Sequence, residues 1–134
     1  MRQLDDKTLV SGQIAPEQIA ELKQQGVTMI VNNRPDGEDP GQPAGADIEH
    51  AARDAGIEYR HIPIWRGPGP AEVEKVREAI DACKDGKMLL FCRSGTRSAF
   101  AWAVAQAEKG VPRVELERRA TEAGFDLGPV THLL

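Results

Sequence analysis

The stretch from Lys87 to Val104, KMLLFCRSGTRSAFAWAV, limits what this chain can fold into more than any other. Met88 to Phe91 is an unbroken apolar run of strand length, which suits a strand covered on both faces. The alanine-rich segment after Ser98 suits a helix packed close against that sheet. Cys92 then stands at the carboxyl end of a strand, and the loop Arg93 to Arg97 can aim successive backbone N–H groups at one point. The first turn of the following helix adds its own unpaired N–H groups and positive dipole end. The field that would hold an oxyanion there also favours thiolate over thiol. Gly95 permits the turn, Arg93 and Arg97 offer forked donors, and Ser94, Thr96 and Ser98 add hydroxyls. No packing requirement asks for that combination, so Cys92 reads as a nucleophile in an anion cradle.

The rest of the chain sets bounds on that reading. A length of 134 residues fits one domain over 1–134 with a core that needs neither disulfide nor metal. The net charge of −4, with both signs interspersed, points away from nucleic acid and from an anionic membrane surface. The expected partner is a small molecule or a protein side chain, and the chain is expected to act as a monomer or homodimer. No signal peptide or spanning apolar run is evident, and two cysteines do not make a disulfide framework. A cytoplasmic location with reduced thiols is the expectation. No cofactor is expected, and no metal, because His50, His61 and His132 are scattered and no zinc spacing occurs.

Taken in order, Thr8 to Gln13 reads as a short opening strand, and Pro16 starts a helix over Glu17 to Gln25 that Gly26 stops. Val27 to Val31 is a second strand, running into a loop of turn formers and acids from Asn32 to Pro43. A helix from about Ala46 to Ala55 follows, then a strand over Ile57 to Ile64, which Pro63 places near a sheet edge. After the break Trp65 to Pro70, Val73, Val76, Ile80 and Cys83 recur at helical spacing, so Cys83 is core packing. The helix after the cysteine loop ends near Gly110, Pro112 to Ala123 forms a last helix, and Phe125 to Leu134 carries no signal.

Strands alternating with helices imply an α/β three-layer sandwich, with a largely parallel central sheet of about four strands flanked by helices. Ligands in such sheets bind at the carboxyl ends of the strands. If the strands are parallel, the loops Arg34 to Pro43, Trp65 to Gly69 and Cys92 to Ser98 all open around one thiol.

Four segments, Ser-Gly-Gln at 11–13, Asn-Arg-Pro-Asp-Gly-Glu-Asp-Pro-Gly-Gln-Pro at 33–43, His-Ile-Pro at 61–63 and Cys-Arg-Ser-Gly-Thr-Arg-Ser at 92–98, occur in an order and spacing that resemble a known family. It is the phosphatase-like domain of the beta-lactamase-hydrolase-like proteins, small bacterial relatives of dual-specificity tyrosine phosphatases. The resemblance implies a cysteine phosphatase-like fold, a phosphorylated protein or small-molecule substrate, Cys92 as nucleophile and Arg97 as the oxyanion-binding arginine. Two departures from ordinary tyrosine phosphatases stand out. Four residues rather than five separate Cys92 from Arg97, as in the loop of single-domain rhodaneses. Ile62 to Pro70, where such phosphatases often keep a general acid, contains no Asp or Glu.

Two chemistries fit these residues. As a phosphatase, the chain would form a cysteinyl phosphate on Cys92, with Arg97 and the loop donors from Arg93 to Ser98 around the oxygens. A proton donor would have to come from Asp36, or else from Glu38 or Asp39, the one carboxylate cluster expected on the same sheet edge. As a rhodanese-like sulfurtransferase, Cys92 would carry a persulfide and need no acid. A non-catalytic anion-binding or redox-sensing module built on a reactive Cys92 is the third reading.

Overall fold

The computed structural model describes residues 1–134. Its strands are β1 (Arg2–Asp5), β2 (Thr8–Ser11), β3 (Val27–Asn32), β4 (Glu58–His61) and β5 (Lys87–Phe91). Its helices are α1 (Ile19–Gln24), α2 (Gly45–Asp54), α3 (Pro70–Ala82), α4 (Thr96–Glu108) and α5 (Arg113–Glu122). Short 3-10 turns occupy Pro16–Gln18 and Gly128–Leu133. The five strands form one sheet in the order β1-β2-β5-β3-β4, antiparallel between β1 and β2 and parallel elsewhere.

Strand β5 lies in the middle of this sheet, and its composition follows from that place. Met88 and Leu90 pack into one core with Val10, Val31, Val73, Val76 and Trp102, while Leu89 and Phe91 pack into a second with Ile19, Leu22, Ile30 and Ile48. Successive side chains of a strand face opposite ways, so a strand with helices on both sides is apolar at every position. Helix α4 is enclosed on nearly all sides, and Ala99, Ala101, Ala103 and Ala105, all fully buried, let its neighbours approach closely. The strand expected over Ile57 to Ile64 near a sheet edge is β4, which ends the sheet. Beyond it Ile62 and Ile64 still donate N–H to the carbonyls of Asn32 and Asn33, with Pro63 between them donating nothing.

Three features differ from the sequence expectations. The sheet gains β1, in which Leu4 alone is buried, so no apolar pattern announces it. Helix α4 begins at Thr96, so Arg97 and Ser98 belong to its first turn instead of the loop. The tail contributes Leu127 and Val130 to the core. No helix is long and apolar enough to cross a membrane.

The register places Ser11, Phe91, Asn32 and His61 in one row across β2, β5, β3 and β4. Everything immediately beyond that row belongs to the same rim.

Candidate active site

Cys92 is the first residue past that row on the central strand, and it has no exposed surface. Its N–H donates to Ser11 O at 3.4 Å, and Arg93 O accepts from Gln13 N at 3.3 Å, so the loop is stitched to the end of β2. The approach is tight: a Cβ on Gly12 would sit 2.8 Å from Arg93 O. Gly95 has φ +93°, a conformation that costs other residues about 1–2 kcal/mol. It turns the chain into α4 with its own N–H 3.1 Å from Cys92 Sγ. Phe125 lies behind it, 3.2 Å from where a Gly95 Cβ would be.

Arg97, in the first turn of α4, reaches across to the other two loops. Its Nη1 and Nη2 donate to Glu38 Oε2 and Oε1 at 2.7 and 2.8 Å, and Nη1 also donates to Ile64 O at 2.6 Å. The Glu38 hydrogen bonds hold Arg97 more basic than an ordinary arginine, against the effect of burial, and the nearby Cys92 sulfur adds to this. Glu38 also accepts from Arg34 Nε at 2.9 Å. Arg97 first, and Arg34 after it, pull the Glu38 carboxyl down to about 2 in spite of partial burial. A carboxylate held there carries no proton near neutral pH.

The other expected donors are likewise engaged. Asp39 Oδ2 accepts from Arg34 Nη2 at 2.6 Å and lies 3.2 Å from Arg93 Nε. Asp36 Oδ1 accepts the N–H of Gly45 at 2.8 Å and so ties the loop to the start of α2. The acidic loop expected to supply a proton is thus bound up with arginines and a helix terminus. Among the expected substrate-binding residues, Arg93 and Ser94 are exposed at the mouth, and Ser94 Oγ donates to Thr96 Oγ1 at 3.2 Å. Ser98 is displaced from that role because its Oγ, fully buried, donates to Asn33 Oδ1 at 2.8 Å and braces α4 against β3.

Sequence reasoning gave no chemical role to Gln13, Asn33, Arg34 or Phe125. Arg34 is the most consequential. Its side chain is only 4% exposed, yet every donor nitrogen has an acceptor: Glu38, Asp39 and, at 3.0 Å from Nη1, Gln13 Oε1. His61 Nε2 donates to the Arg34 carbonyl at 2.9 Å. The signal available was positional, since Gln13 and Arg34 both lie in the motif segments 11–13 and 33–43.

No group of three His, Cys, Asp or Glu side chains is disposed to hold a metal ion. The arrangement sets the Gly95 N–H and the Arg97 guanidinium beside a buried cysteine sulfur, a combination of donors that suits a tetrahedral oxyanion.

The chain is similar to known phosphatase-like proteins. The family described as beta-lactamase hydrolase-like protein, phosphatase-like domain, matches residues 1–109. The beta-lactamase hydrolase-like protein of Xylella fastidiosa (strain Temecula1) is 34% identical over 127 residues, covering 93% of this chain and 29% of that protein. The chain therefore spans less than a third of that relative's length. A crystal structure of a candidate phosphatase from Neisseria meningitidis superposes with a TM-score of 0.82 at 31% identity, covering 98% of this chain and 93% of that one. Human DUSP28 superposes at 0.71 with 18% identity, covering 98% and 90%, and shares the fold.

Proposed function

This chain belongs to the family of the beta-lactamase hydrolase-like protein phosphatase-like domain, and from that premise we propose that it is a cysteine-dependent phosphatase acting on aryl phosphates such as phosphotyrosine. The observation that carries the reading is the meeting of Cys92 Sγ, the Gly95 N–H and the Arg97 guanidinium at the end of the central strand. In the first step Cys92 thiolate attacks phosphorus in line, forming the S–P bond as the P–O bond to the leaving group breaks. Loop N–H groups and Arg97 carry the charge on the equatorial oxygens. Water then attacks phosphorus, releasing inorganic phosphate and restoring the thiolate.

The leaving group decides the substrate class. With Glu38 ionised and Asp36 and Asp39 engaged elsewhere, the leaving oxygen departs without a strong donor from this loop. A phenolate, with a conjugate acid near about 10, leaves far more easily than an alkoxide. Aryl phosphates are therefore preferred over alkyl ones, and phosphotyrosine over phosphoserine. Since Cys92 has no exposed surface, the substrate phosphorus reaches Sγ when the exposed Arg93–Ser94 turn moves, while Arg97 stays on its three acceptors.

A second reading is favoured by one specific feature, the four-residue spacing from Cys92 to Arg97 combined with the lack of a free acid. In that reading Cys92 takes the outer sulfur of thiosulfate, sulfite leaves, and the persulfide passes its sulfur to an acceptor thiolate or cyanide. Parallel assays with p-nitrophenyl phosphate and with thiosulfate plus cyanide separate the two. Phosphatase activity that disappears in Cys92→Ser, with no thiocyanate formed, upholds the proposal. Thiocyanate formation without ester hydrolysis replaces it by sulfur transfer.

A further inference from the structure

A guanidinium carries five N–H donors in one plane. In Arg97, Glu38 takes one from each Nη, and Ile64 O takes a second from Nη1. What remains is the Nε–H and the second Nη2–H, which lie side by side on the same edge of the plane. That edge is a complete fork for two oxygens of a tetrahedral anion, and Cys92 is close enough for its sulfur to make Arg97 more basic.

Glu38 could tilt and spoil this orientation if it were held by Arg97 alone. It is also fixed from behind by Arg34 Nε, and Arg34 is buried, with Nη1 on Gln13 and Nη2 on Asp39. Gln13 in turn donates its N–H to Arg93 O, within the cysteine loop itself. The hydrogen bonds thus run from the loop through Gln13, Arg34 and Glu38 to Arg97, joining the ends of β2, β3 and β5, and Ile64 O adds the end of β4. Arg34 has an acceptor on each of its three nitrogens and a side chain only 4% exposed, so it is suited to support.

We infer that Glu38, seated on the buried Arg34, is a positioning residue that turns the free Nε/Nη2 fork of Arg97 toward the oxyanion bound at Cys92. The inference rests on the reading of Arg97 as the oxyanion-binding residue and assigns Glu38 a part other than proton donation. Misplacement of a catalytic group by about 1 Å can cost about 10²-fold in rate. Glu38→Gln keeps the shape but turns one acceptor oxygen into a donor facing an arginine N–H.

The test compares the wild type with Glu38→Gln, Glu38→Asp and Arg34→Lys, the last acting on Arg97 only through Glu38. Two quantities are read: turnover on aryl phosphates of graded leaving-group pKa, and tungstate affinity by calorimetry. Glu38→Gln is expected to lose about 10²-fold in kcat/KM, by the same factor for every leaving group, and about 10-fold in tungstate affinity. Arg34→Lys should show the same pattern more weakly, and Glu38→Asp should recover part of the loss. If Glu38→Gln does not fold, Glu38→Asp and Arg34→Lys carry the comparison. Unchanged turnover and tungstate affinity would overturn the inference, and so would a gain in turnover, which would make Glu38 a latch. A loss that grows with leaving-group pKa while tungstate affinity holds would also overturn it, and restore Glu38 as a donor. Tungstate binding needs no turnover, so a chain that hydrolyses no phosphate ester fails the proposed function and still answers for Glu38.

Discussion

Glu38 shows how far the behaviour of one side chain departs from its residue type. Between Arg97 and Arg34 its carboxyl is held down to about 2, below the usual carboxylate range. A carboxylate depressed on folding contributes stability that is fully present above its unfolded value, near about 4.3, and is lost as pH falls through the folded one. The stability difference between wild type and Glu38→Gln should therefore be constant above roughly pH 5 and vanish as pH approaches about 2. Urea midpoints of the two proteins across that range check it. Arg97→Lys should lose about 10²- to 10³-fold in kcat, because an ammonium cannot serve Glu38, Ile64 O and an oxyanion together. Arg93, 67% exposed and paired only with Asp39, should tolerate Ala with a far smaller loss. Steady-state kinetics of the two variants rank them, and the reverse order would refute the assignment.

The element that makes the site is the junction of β5 with α4, and its two tight points predict different failures. Gly95→Ala would hold a left-handed φ of +93° at a cost of about 1–2 kcal/mol, and its Cβ would press on Phe125 and Ser11 O. The denaturation midpoint should fall accordingly, and turnover should fall further because the N–H now aimed at Cys92 Sγ shifts. Gly12→Ala meets backbone, Arg93 O at 2.8 Å, and no side-chain rotation relieves that. It should separate β2 from the loop and lower turnover by displacing the Arg93 backbone. Phe125→Ala, by contrast, removes support from behind Gly95 and should lower stability by about 3 kcal/mol or somewhat less, since Phe125 is only partly buried.

At the scale of the whole molecule, the sheet order separates the two thiols. Cys83 lies with Met88 beside a groove at the amino ends of the strands, 3.7 Å from Thr28 Oγ1. Met88 to Cys92 alone spans about 13 Å at 3.3 Å per residue, and a disulfide needs Cα atoms within about 7 Å. Oxidation should therefore yield no Cys83–Cys92 bridge by intact-mass analysis, and Cys83→Ser should keep turnover. A bridged species formed under native conditions would contradict this arrangement.

Periodicity and turn residues were enough to read most of the elements, because burial on both faces of β5 demands an apolar residue at every position and the α4 contact demands small ones. The turn after Cys92 was legible because Gly95 follows an apolar strand and opens a helix, although the Ser98 hydroxyl proved to brace α4 instead of facing the loop. Strand β1 was not legible, since an exposed edge leaves no apolar pattern, nor was the place of Phe125 behind Gly95, a contact across 30 positions of chain. The roles of the acidic loop were decided only in three dimensions. Asp36, Glu38 and Asp39 are alike in sequence, and what separates them is which cation or N–H the parallel ends of β2, β3, β4 and β5 bring within hydrogen-bond reach. Residue type sets which charges a chain can carry, but whether a carboxylate gives up a proton or holds an arginine depends on neighbours that the sheet order alone assembles.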